Sequence, residues 1–259
     1  MKKVINKKAQ VSIFIIIAIV IVVAVGGYFI LKNYTSDVEV DDVDLEIQEI
    51  NSFVKSCIAL TGEDAIYHVG STGGYIVPPE NSLVIDYGDN YTEEIAYYLY
   101  EETNNMPSKE VIESEISLYM NSLFAFCIND FNAYPEYEII IGDLNTETKI
   151  EKDRVVFNVA YDLSIMKNGV TYQLKEFKEE VLVRLGELHD IISQIMADQM
   201  EKTDSICMTC LNEVSDKNNI KVMMSDGGEG IVFAIVDEKS KIYGNSYEFY
   251  FANKYKSVE

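Results

Sequence analysis

Residues 11–31, VSIFIIIAIVIVVAVGGYFIL, run 21 positions without a charged side chain, and 15 of them are Ile, Val, Phe or Leu. At about 1.5 Å of rise per residue a helix of this length reaches roughly 31 Å, the thickness of a bilayer's hydrocarbon core. Summed over its apolar side chains, insertion is favourable by about 5 kcal/mol or more. The stretch therefore reads as a transmembrane helix, and it divides the chain into a basic tail (1–10), the span (11–31), a polar linker (32–42) and a large C-terminal region (43–259).

The flanks set the direction. Lys2, Lys3, Lys7 and Lys8 precede the span, whereas Asp37, Glu39, Asp41 and Asp42 follow it. The positive-inside bias places the N-terminus in the cytoplasm and everything beyond Leu31 outside, with Tyr28, Phe29 and Tyr34 at the level of an outer aromatic belt. A cleaved secretory signal ending near Ala24-Val25-Gly26 is a second reading, but the apolar run continues through Tyr28–Leu31, which favours an uncleaved signal-anchor.

A third reading rests on the segment Lys7-Lys8-Ala9-Gln10-Val11-Ser12-Ile13-Phe14, which resembles the archaeal class III signal peptide of type IV pilin-like proteins. The resemblance covers about 25 residues and implies cleavage between Ala9 and Gln10, after which the mature helix packs into a filament core. Phe14 stands where that pattern has Glu, the residue that helps register a subunit in the filament. What lies beyond the helix carries no family resemblance.

The outer region is built to fold. The chain is 48% hydrophobic and 11% aromatic, well above a disordered stalk. After Leu31 it carries 17 basic against 43 acidic side chains, a surface that repels nucleic acid and anionic lipid and keeps an exposed protein soluble. Asn33-Tyr34-Thr35 and Asn90-Tyr91-Thr92 are N-glycosylation sequons, so Asn33 and Asn90 are candidate glycan sites.

Hydrophobic spacing predicts an α+β fold, amphipathic helices packed on antiparallel sheet, with two possible subdomains at 43–134 and 135–259. Residues 43–69 step by three and four as a helix that Gly70 would stop. Short strands at 82–87 and 92–100 flank a Gly88-Asp89-Asn90 turn. Ser108 caps a second helix whose apolar face reads Ile112, Ile116, Tyr119, Leu123, Cys127 and Phe131. Strands follow at 137–142, 155–166 and 170–183, the last two joined by the hairpin signal Asn168-Gly169. Helices at 185–200 and 205–214 precede a closing meander at 220–224, 231–237 and 247–251, with Met196, Met200, Met223 and Met224 as expected core filler.

Chemistry is thinly advertised. Four cysteines in an oxidising compartment allow three pairings. Cys57 with Cys127, both on apolar helix faces, and Cys207 with Cys210 as a local loop is the favoured one. Cys207-Met208-Thr209-Cys210 also has the spacing of a thiol–disulfide oxidoreductase, which wants the first Cys at a helix N-terminus after a strand. A zinc site there would need His68 and His189, the two histidines, and there is no second CxxC. Asp86 and Asp89 lack the EF-hand spacing, and Gly70-Ser71-Thr72-Gly73-Gly74 has no Lys after it to make a phosphate loop. No Gly-x-Ser-x-Gly, His-Glu-x-x-His or Gly-x-Gly-x-x-Gly occurs. No catalytic residue, metal ligand or cofactor is expected. Eighteen tyrosines could line a glycan surface, though such residues also fill strands and cores.

The sequence thus points to a single-pass, cell-surface membrane protein whose partners are the bilayer, through residues 11–31, and other surface or filament subunits, with no nucleic acid. Its role is structural or interactive, as a pilin-like assembly component or as a tethered binding module or adhesin. An extracytoplasmic thiol–disulfide enzyme using Cys207 and Cys210 is the remaining alternative.

Overall fold

The structure, a computed structural model, describes residues 45–88 and 91–256. In chain order the elements are α1 (Leu45–Thr72), β1 (Ser82–Gly88), β2 (Tyr91–Tyr100), β3 (Thr103–Asn104), α2 (Lys109–Ile128), β4 (Glu138–Ile150), β5 (Val155–Lys167), β6 (Val170–Val181), α3 (Leu185–Met200), α4 (Met208–Asn218), β7 (Lys221–Asp226), β8 (Ile231–Ile242) and β9 (Asn245–Lys254). The fold is α+β, as runs of helix and strand without regular βαβ alternation indicate.

Two sheets carry the helices. A six-stranded sheet runs β1-β2-β9-β8-β7 with β3 beside β2, and a three-stranded antiparallel sheet runs β4-β5-β6. The larger sheet is not wholly antiparallel: β2 and β9 pair in parallel, Tyr97 opposite Ala252. Strands from both sides of residue 135 therefore share one sheet, and residues 49–256 fall within a single compact unit. Tyr98, Phe251 and Phe233 stack across β2, β9 and β8, with ring centroids 4.9 and 5.1 Å apart. All three rings are fully buried, and the opposite face buries Leu83, Ile95, Tyr97 and Val232.

Helix α1 buries Ile50, Val54, Ile58, Ala65, Ile66 and Val69, the stripe its three- and four-residue steps create. Gly70 does not stop it. The helix continues to Thr72, and Gly73 and Gly74, both at positive φ, end it as the Gly74 N–H donates to Val69 O at 2.7 Å. Gly62 has a different reason to be glycine: a Cβ there would stand 2.6 Å from the Phe157 ring of β5.

Ser108 caps α2, its hydroxyl accepting from the Val111 N–H. The buried row is Ile112, Ile116, Met120, Phe124 and Ile128, four residues apart. Tyr119 and Cys127, expected on that face, turn instead toward α1, because α2 has two neighbours and presents an apolar row to each. By length and composition, 109–131 is the one helix among the described residues that could cross a membrane. Its contacts with β4 and α1 make it a helix of the folded core.

Strand β4 runs to Ile150, eight residues beyond the expected end at Gly142. Its polar half, with Thr146 and Thr148 buried, is a strand because α2 satisfies its outer edge. The N–H groups of Thr146, Thr148 and Ile150 donate to Asn121 Oδ1, Ser117 Oγ and Glu113 Oε1 at 2.9, 3.1 and 2.8 Å. Four residues of helix rise about 6.0 Å and two of strand about 6.6 Å, so every second strand residue meets every fourth helix residue. The Asn168-Gly169 turn forms as expected, both residues at positive φ. Met196 is buried, but Met223 and Met224 are 49% and 37% exposed on edge strand β7, so they are not core filler.

Candidate functional site

The best-defined surface feature lies where α1, α2 and the β8–β9 turn meet. Cys57 and Cys127 are disulfide-bonded, with Cα atoms 5.6 Å apart, which holds α1 against α2. From Cys57 onward α1 presents Leu60, Asp64, Tyr67 and His68. Asp64 is the centre: Tyr119 Oη of α2 donates to its Oδ2, and Tyr243 Oη of the β8–β9 turn donates to its Oδ1 at 3.0 Å.

Tyr243 occupies the first position of a two-residue turn that needs φ > 0 at both centres. Its φ is 51° and that of Gly244 is 77°. A bulky side chain pays for that conformation in strain. Three contacts with α1 hold it there: the Asp64 bond, the Tyr243 N–H donated to Glu63 Oε1 at 2.7 Å, and an edge-on stack with Tyr67 at 5.9 Å.

Two clefts flank Tyr243. One, of about 150 Å³, is lined by Tyr67, Ser71, Tyr247, Glu248 and Tyr250. The other, of about 370 Å³, lies beside the disulfide and is lined by Leu60, Asp64, Leu123, Phe126 and Cys127. Leu60 is 56% exposed and Phe126 is 79% exposed. Burial and the hydrogen bond to Asp64 push Tyr243 up to about 12, and the same causes, in the same order, raise Tyr119 further. Tyr250 is raised by burial and by its bond to Glu248. These three phenols therefore stay protonated at neutral pH and present their rings and hydroxyls for contact.

Cys207 and Cys210 are also bridged, and no free cysteine remains among the described residues. Cys207 is the N-cap of α4, and both sulfurs sit in half-buried residues. The chain enters from the coil after α3 instead of from a strand. Neither histidine approaches them: His68 Nε2 bonds Ile76 O at 3.1 Å and His189 Nε2 bonds Pro107 O at 2.9 Å. Among the described residues no group of three or more His, Cys, Asp or Glu is placed to hold a metal. The Asp86 carboxylate accepts from the Gly88 N–H as an ordinary turn contact. The span at 11–31, the leader residues Ala9 and Gln10, and the sequons' Asn33 and Asn90 lie outside the described residues.

Sequence reasoning missed Asp64, Tyr119 and Tyr243. They are 55 and 179 residues apart in pairing, and Asp64 is one of 43 acids. The only local trace was Tyr243-Gly244, a turn pair with an unusual first residue. No protein-family model matches the chain, and no curated protein or solved structure matches it either.

Proposed function

We propose that the protein is a single-pass, N-in membrane protein that displays its acidic α+β domain outside the cell and acts by contact, not catalysis. The observation that carries this reading is the pairing of all four cysteines into two disulfides, a state that persists in extracytoplasmic compartments. The uncharged run at 11–31 and the lysines before it supply the tether and its direction. The contact face is the tyrosine and carboxylate surface around Asp64, whose exposed Tyr67, Tyr243 and Phe126 suit an apolar or sugar-ring partner. The apolar run 11–31 serves as an anchor and, if the leader at Ala9-Gln10 is processed, as a pilin-like assembly element.

Protease treatment of intact cells tests the arrangement. The domain should be released or degraded without lysis while a fragment containing 11–31 stays with the membrane. Protection until lysis would overturn it. Substituting Tyr67 and Phe126 with Ser should abolish surface adhesion without loss of the fold.

A second reading is favoured by one observation, Cys207 at the N-cap of α4, where the helix dipole lowers a thiol's pKa. In the reduced form the Cys207 thiolate would attack a protein disulfide, and Cys210 would then displace the mixed disulfide. The partner leaves as a dithiol and the Cys207–Cys210 bridge closes. A Cys207 thiol titrating well below 8 in the reduced protein supports this reading, and one at the ordinary value removes it.

A further inference from the structure

The two edges of the three-stranded sheet are treated differently. Three α2 side chains take up the outer N–H groups of Thr146, Thr148 and Ile150 in the second half of β4. Strand β6, 12 residues long, pairs with β5 on its inner side, and among the described residues no hydrogen bond reaches its outer backbone. A long open edge is a template for another strand.

The sequence of β6 says which strand fits. When two copies of one strand pair antiparallel, the two-fold axis passes through a single residue, and positions equally far before and after it face each other on the same side of the sheet. Lys175-Glu176-Phe177-Lys178-Glu179 is charge-antisymmetric about Phe177. With the axis there, Glu176 faces Lys178 and Lys175 faces Glu179, each twice, so all four opposed pairs are unlike charges. Moving the axis to 175, 176 or 178 sets Lys against Lys or Glu against Glu at the axis itself. Edge lysines ordinarily deter pairing. Here the deterrent acts against foreign strands and slipped registers, while the in-register copy cancels it. Lys175, Glu176 and Lys178 are exposed, whereas Phe177 is buried. Glu179 lies 3.3 Å from Lys55 of α1, so a second copy's Lys175 would complete a Lys–Glu–Lys cluster.

We propose that β6 is a homodimer interface, two copies pairing antiparallel about Phe177 to join their three-stranded sheets into one of six strands. The test uses the full chain in detergent, with the dissociation constant read by sedimentation and the fold checked by urea unfolding. Lys178→Glu alone and Glu176→Lys alone each replace two attractive pairs by two repulsive ones, and each should weaken the dimer by about tenfold to thirtyfold. Mixing the two variants opposes two lysines on one chain to two glutamates on the other and should restore wild-type affinity in the heterodimer. The double variant E176K/K178E keeps the antisymmetry and should dimerise as wild type, which covers the case of a single variant that folds poorly. A monomeric wild-type chain, a dimer indifferent to both reversals, or a mixture no tighter than its parents would overturn the proposal.

Discussion

Two helices are fastened to the rest of this molecule in opposite ways. Where α1 meets α2, the tie is covalent, Cys57 to Cys127 across 70 residues. Where α3 begins, it is electrostatic: Arg184 donates Nε to Asp237 Oδ2 at 3.0 Å and Nη2 to Oδ1, with Asp237 wholly buried. Ser240 completes that site, donating its hydroxyl to Asp237 Oδ2 at 2.5 Å and accepting the Arg184 N–H at 2.9 Å. Packing is tight beside it, where a Cβ on Gly186 would fall 2.3 Å from Glu151 O. The first tie is indifferent to pH and fails under reduction, and the second does the reverse. Only the first requires a particular compartment, which is why it bears on where the protein works.

The largest separation of the two should come from removing the covalent tie. Replacing Cys57 and Cys127 by Ser frees a loop of 70 residues and should cost about 4 kcal/mol in urea unfolding, at any pH. Next, Asp237→Asn leaves the largely buried Arg184 guanidinium with only Glu187, 3.1 Å away, as counter-charge and should cost about 3 kcal/mol, whereas Arg184→Met with Asp237→Leu should cost much less. Acid probes the same tie. Burial pushes the Asp237 carboxyl up, but Arg184, Ser240 and the Lys239 N–H outweigh it and hold it below the ordinary carboxylate value. Its contribution is therefore complete above the unfolded value of about 4 and is lost as pH falls through the lower folded one. That loss should vanish in Asp237→Asn and persist in the cysteine variant.

Smaller effects sharpen the contrast. The Cys207–Cys210 bridge closes only a short loop, and Cys207→Ser with Cys210→Ser should cost about 2 kcal/mol, half the long bridge or less. Ser117→Ala or Asn121→Ala strips one acceptor from the β4 edge and should cost about 1 kcal/mol, with faster hydrogen exchange at Thr148 or Thr146 respectively.

These ties differ in how far the sequence discloses them. Cys57 and Cys127 are rare residues on apolar helix faces, so few partners compete. Arg184 and Asp237 lie 53 residues apart among 43 acids, with nothing local to mark them. The same limit hid Asp64 and its two tyrosines. Helices α1 to α3 and the Asn168-Gly169 hairpin were legible because periodicity and turn chemistry are local. The polar half of β4 was not, since its strand character comes from Asn121, Ser117 and Glu113 on another element. The parallel β2–β9 pair joins residues about 155 apart, beyond any local signal.

Extracytoplasmic placement requires that the cysteines of the native protein be oxidised. Intact protein should be trapped from living cells with a thiol-alkylating reagent and weighed with and without prior reduction. We expect no alkyl group added before reduction and four after it. Four alkylated thiols in the unreduced protein would contradict the extracytoplasmic placement and the function drawn from it.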